Sequence, residues 1–304
     1  MVDMDPWNPP EDAILDYNLN HHFGQGLRWG DEPDVLPPGW SLGQVSGVAS
    51  HPDGEVYVYQ RGRHADPLLV YDRQGTYLRS WGRDRTAMPH SVRLDPNGDL
   101  WLIDSLRHAI DVCSRDGMLR RTIGVPGDRG TDDRRFNEPT DVAFGPDGVA
   151  YVSDGYGNSR VVMVTLEGRH LGSWGRPGTA PGEFNTPHSI AVGPDGLVYV
   201  ADRENARIQV FGPNGTHRDT WTHLGLTQGI TITPDGECWV VTARLRSDAT
   251  PPRVLGWRLL RLELPAGRVT GAIESTGHMI ERSAWGDLFV AGLEGTVFQW
   301  TPAG

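Results

Sequence analysis

Cysteine is scarce in this 304-residue sequence: Cys113 and Cys238 are the two present, so at most one bridge can form and a disulfide-stapled scaffold is excluded. That usage fits a reducing compartment, and a cytoplasmic location is expected. Long apolar runs are missing as well. No stretch approaches the roughly 18 residues needed to cross a bilayer, so a soluble chain without a membrane partner is expected. The opening MVDMDPWNPPED carries acids and prolines where an export signal would have a basic start and an apolar run. Positive charge is short: 28 Lys plus Arg stand against 39 Asp plus Glu, a formal net charge of −11. With the basic residues scattered, the concentrated positive footprint that phosphate binding needs is absent, and no nucleic-acid partner is expected. Helical periodicity is hard to find after residue 40.

Glycine and proline, by contrast, supply 62 of the 304 residues without low complexity, which implies many tight turns. The apolar segments are of strand length and rich in Val, Tyr, Trp or Ile, at 55–59, 100–103, 149–152, 197–201, 238–241 and 288–291. A Pro-Asx-Gly turn precedes most of them: Pro52-Asp53-Gly54, Pro96-Asn97-Gly98, Pro146-Asp147-Gly148, Pro194-Asp195-Gly196 and Pro234-Asp235-Gly236, with Ala284-Trp285-Gly286 as a degenerate sixth copy. Asx-Gly tolerates positive φ and suits a hairpin. The closing glycines step along the chain by 44, 50, 48, 40 and 50 residues, and each unit reads as four strands, some ending in Ser-Trp-Gly. Six such units predict an all-β, six-bladed β-propeller over residues 41–304, behind a short irregular N-terminal extension over 1–40 that packs outside or helps close the ring. Trp81, Trp174 and Trp221 recur at unit ends and are expected to pack between blades.

In a propeller the first strand of each blade lines the channel. Eight residues before each turn glycine stand Ser46, His90, Thr140, His188, Gln228 and His278. Histidine occupies alternate blades, about 120° apart, so three imidazoles are expected to meet on the axis. Chance alone would place three histidines among six preset positions on the order of one time in a thousand. Three imidazoles with an open position form the catalytic zinc pattern, although iron, cobalt or copper also accept them. A second ring, seven or eight residues past each glycine, holds Arg61, Ser105, Gly155-Tyr156, Arg203, Ala243 and Leu293. Two guanidiniums suit a carboxylate, and a tyrosine beside them suits a base. His21, His22 and His64 are weaker candidates for additional ligands or pocket residues.

The unit resembles the NHL type of blade. More specifically, the chain resembles the peptidyl-α-hydroxyglycine α-amidating lyase portion of peptidylglycine α-amidating enzymes. The matching strings are LGQVSGVA at 42–49, VYVYQRGRH at 56–64, MPHSV at 88–92, EPTDVAF at 138–144, SDGYGNSR at 153–160, FNTPHSIAV at 184–192 and VADRENARIQVF at 200–211. The resemblance implies a catalytic zinc on His90, His188 and His278, with Arg61, Tyr156 and Arg203 as catalytic residues. It implies cleavage of a carbinolamide, R-CO-NH-CH(OH)-COOH, to a primary amide and glyoxylate, on a small-molecule or peptide substrate bearing a carboxylate. Three positions depart from the family. Gly157 replaces a disulfide-bonded cysteine, Thr276 a methionine, and Met279 an acid that helps hold a structural calcium, which argues against calcium here. Two other readings compete: a zinc hydrolase or hydratase acting on a small carboxylate, ester, lactone or amide, and a non-enzymatic interaction scaffold.

Overall fold

The computed structural model describes residues 27–29, 36–246 and 253–302; His21 and His22 lie outside them. The alternating strands and glycine turns assemble into six four-stranded antiparallel sheets. Blade 1 is Val45–Ser50, Val56–Gln60, Leu68–Tyr71 and Tyr77–Trp81. The inner strands of blades 2 to 6 are Pro89–Leu94, Asp141–Phe144, Pro187–Val192, Leu226–Ile232 and Met279–Arg282. Each inner strand touches the inner strands of the blades before and after it, and that of blade 6 returns to that of blade 1. The result is a closed six-bladed propeller. Among the described residues no helix is long and apolar enough to cross a membrane.

Closure uses a strand from the other end of the chain. Leu27–Trp29, inside the segment expected as an extension, pairs antiparallel with Thr296–Trp300 and is the outer strand of blade 6. Trp29-Gly30 repeats the Trp-Gly of residues 81–82 and 174–175, a signal that was available in the sequence.

The turn glycines hold positive φ, from 75° at Gly196 to 108° at Gly54, where a side chain would be strained. Between blades, an outer-strand tryptophan covers a glycine of the next blade. Trp81 lies against Gly117, Trp174 against Gly215, Trp221 against Gly267 and Trp29 against Gly75. A Cβ on Gly117 would come within 2.7 Å of the Trp81 indole, so this seam closes only over glycine. The tryptophans therefore pack between blades, as expected.

Candidate metal centre and its surroundings

The position eight residues before each turn glycine is a backbone irregularity in four of the six blades. Val45 pairs with Gln60 and Gly47 with Tyr59, leaving Ser46 as an extra residue; His90, His188 and Gln228 are left over in the same way. A bulge re-aims its side chain out of the pleat, here toward the axis. In blades 3 and 6 the equivalent Thr140 and His278 stand one residue ahead of the inner strand, and their N–H groups donate to Ser153 and Ala291.

His90, His188 and His278 are all buried and converge. Their ring centroids form a triangle with every side 4.8 Å, and one ligand nitrogen from each lies within 4.8 Å of the others. The odd-numbered blades fix their orientation. His90 Nδ1–H donates to the Thr140 carbonyl at 2.6 Å, His188 Nδ1–H to Gln228 at 2.7 Å and His278 Nδ1–H to Ser46 at 2.8 Å. Since a carbonyl only accepts, each Nδ1 carries the proton and each Nε2 of a neutral ring presents a lone pair. Burial, with the neighbouring His278 and Arg61, holds His90 well below the ordinary imidazole range. Burial and Arg203 act likewise on His188, and burial pushes His278 down to about 3.

These donors fit a metal ion. Three unprotonated nitrogens face one another with no acid among them, and one hydroxyl reaches them: Tyr156 Oη lies 2.9 Å from His90 Nε2 and 3.0 Å from His188 Nε2. Among the described residues His278 Nε2 has no hydrogen-bond partner. Nδ1–H groups held by carbonyls are the usual support of histidine ligands. Met279, by contrast, is buried in an apolar cluster with Val45, Phe289 and Ala291 and offers a thioether where the resemblance implies an acid.

Antiparallel pairing puts the second ring beside the first, because the start of each inner strand faces the end of the next. Arg61 N–H donates to Gln44, Ser105 N–H to Met88 and Arg203 N–H to Thr186. Buried acids anchor two of these loops: Asp154, two residues before Tyr156, accepts from Asn137, Asn158 and Arg160, and Asp202, next to Arg203, accepts from Asn185, Asn205 and Arg207. Arg61 donates from Nε to the Pro89 carbonyl at 2.7 Å, beside His90, and its buried Nη2 has no partner. The Arg203 guanidinium lies 5.5 Å from the centre of the Tyr156 ring, and its Nε donates to Glu204 at 2.8 Å. Thus Arg61, Tyr156 and Arg203 gather around the three histidines. His64 and Leu293 are exposed, Ala243 is buried, and Ser105 donates its hydroxyl to the Pro139 carbonyl. Sequence reasoning gave Ser46, Thr140 and Gln228 no role, since a backbone acceptor leaves no mark on residue type.

The other mouth of the channel is a cavity of about 650 Å³. Leu94, Phe144, Val192 and Ile232 wall it, and Arg93 and Glu281 also line it.

The NHL repeat family matches residues 136–162 and 184–211. Peptidylglycine α-amidating monooxygenase of Rattus norvegicus is 32% identical over 240 residues, 68% of this chain and 23% of that enzyme. Peptidyl-α-hydroxyglycine α-amidating lyase 1 of Drosophila melanogaster is 28% identical over 211 residues, 58% of this chain and 39% of the fly protein. The chain thus spans about a quarter of the length of the rat enzyme. Among solved structures a streptogramin B lyase superposes with a TM-score of 0.62 at 15% identity, covering 93% of this chain and 99% of the other, a likeness of fold.

Proposed function

We propose, from the premise that the chain is an NHL-repeat propeller homologous to the peptidylglycine α-amidating enzymes and their lyases, that it is a metal-dependent lyase. Its substrate in this reading is an N-acyl-α-hydroxyglycine or a related carbinolamide, and its products are a primary amide and glyoxylate. The observation that carries the reading is the convergence of three carbonyl-pinned histidines, a tyrosine hydroxyl and an unpartnered guanidinium nitrogen on one end of the axis. His90, His188 and His278 would hold the metal, for which zinc is the choice, and it would supply Lewis acidity toward the substrate hydroxyl. Arg61 Nη2 and the Arg203 guanidinium bind the carboxylate and set the hydroxylated carbon over the histidines. Tyr156 Oη takes the hydroxyl proton as the oxygen becomes a carbonyl and the carbon–nitrogen bond breaks. The same phenol returns a proton to the departing amide nitrogen, so the reaction balances without water. Cys113 and Cys238, buried and free, agree with a cytoplasmic location.

The test is N-benzoyl-α-hydroxyglycine incubated with metal-replete protein in ¹⁸O-water. Equal amounts of benzamide and glyoxylate above the protein-free rate, with no label in the benzamide, are expected. Labelled benzoate would establish a hydrolase instead, and no turnover across carbinolamides would leave the scaffold reading.

A further inference from the structure

One layer below the histidines the channel is not filled by alkyl side chains, as a core of this width would be. A charged, hydrogen-bonded lattice lies there, and every blade contributes to it. From blade 2, Arg93 donates through Nε and Nη2 to the two carboxylate oxygens of Asp141 in blade 3, at 3.0 and 2.9 Å. Its Nη1 reaches the Ile280 carbonyl in blade 6 at 3.1 Å and Glu281 at 3.5 Å. In blade 4 the Ser189 hydroxyl donates to Asp141 at 2.7 Å and accepts from Ile230 N–H of blade 5 at 3.2 Å. In blade 1, Ser50 donates its N–H and hydroxyl to Glu281, at 3.3 and 3.0 Å. The Asp141 side chain is fully buried and that of Arg93 is 11% exposed.

The lattice is coupled to the ring above it by chain adjacency. Asp141 follows Thr140, whose carbonyl holds His90 Nδ1–H and also accepts from the Ser91 hydroxyl at 2.9 Å. Ser189 follows His188, Ile280 stands two residues after His278, and Arg93 three after His90. A buried ion pair loses hydration that its attraction only partly restores, so it is weak support for stability and is better suited to fixing one arrangement. We infer that Arg93 and Asp141 are positioning residues for the metal centre. By tying the inner strands together they set the spacing of the three Nε2 atoms, and they close the floor of the catalytic chamber against the cavity at the far mouth. The inference rests on reading the histidines as a metal site.

The experiment compares wild-type full-length protein with Arg93→Met, Arg93→Lys and Asp141→Asn. It reads zinc affinity by chelator competition, the visible spectrum of the cobalt(II)-substituted protein, and urea unfolding of the metal-free form. Arg93→Met is expected to lose about 10- to 100-fold in zinc affinity and to alter the cobalt bands, as outer-shell substitutions do, with Arg93→Lys recovering part of both. Should Arg93→Met fail to fold, Arg93→Lys and Asp141→Asn carry the test, with weaker affinity and shifted bands expected in each. Variants that unfold more easily yet bind zinc as tightly, with the wild-type cobalt spectrum, would overturn the positioning role and leave the metal reading intact. A wild-type protein that takes up no metal would overturn the metal reading, and this inference with it.

Discussion

The two mouths of the axial channel are made by the same six strands, four residues apart. At one end stand Ser46, His90, Thr140, His188, Gln228 and His278; at the other, Ser50, Leu94, Phe144, Val192, Ile232 and Arg282. The first ring alternates imidazole with a carbonyl that orients it, and the second is apolar across four consecutive blades. The difference shows how a repeat supports chemistry. The scaffold fixes which six positions surround each end of the axis, and residue choice at those positions decides whether that end carries candidate ligands or an apolar wall.

The sharpest way to break the comparison is to change both rings on one strand. His90→Ala is expected to abolish carbinolamide cleavage, whereas Leu94→Ala on the same strand should retain turnover and lose about 2 kcal/mol of stability at most; activity assays and urea unfolding read the two. A smaller effect belongs to the phenol. Tyr156→Phe should lower kcat by about 10²- to 10⁴-fold while metal content stays that of the wild type, and near-normal turnover would remove the tyrosine from the chemistry. Arg61→Gln should raise KM by about 10- to 100-fold through loss of a charge-assisted contact, and should matter little for a substrate whose carboxylate is esterified. An equal loss on both substrates would contradict carboxylate binding.

The smallest expected effect lies at an outer seam, where Glu55 of blade 1 is held by Arg115 of blade 2. Burial acts to raise its pKa, but hydrogen bonds from Arg79, Tyr57 and Arg115 prevail and bring it down to about 2. A folded-state pKa below the ordinary value of 4.5 means stabilisation that is present above that value and is lost as pH falls toward 2. Glu55→Gln should therefore flatten the acid limb of the stability profile and leave the histidine end of the channel unaffected. An unchanged acid limb would show that this network carries no net stability.

Much of this was legible because a propeller repeats. Pro-Asx-Gly turns locate the strands, and counting back from them finds the three histidines; Arg61, Tyr156 and Arg203 follow from counting forward. The outer strand Leu27–Trp29 was harder to see, because it has three residues, no turn motif in front of it and the Trp29-Gly30 pair as its mark in the sequence; its pairing with Thr296–Trp300 assigns it to blade 6. Register hid the bulges at Ser46, His90, His188 and Gln228, since pairing is a property of two strands at once. Arg93 and Asp141 read as ordinary strand residues until the ring closes and brings them together. Repetition also misleads where it lapses. Arg207 in blade 4 meets Asp202, but its counterpart Arg258 in blade 5 faces Thr242 in the register, and its Nε and Nη2 are buried without a partner.

The central claim is that three histidines of alternate blades hold one metal ion. Elemental analysis of untagged, chelator-washed protein after zinc addition, beside His188→Ala treated identically, tests it most directly. The account predicts about one zinc per chain in the wild type and none retained by the variant. No uptake by the wild type, or a full equivalent kept by His188→Ala, would contradict it.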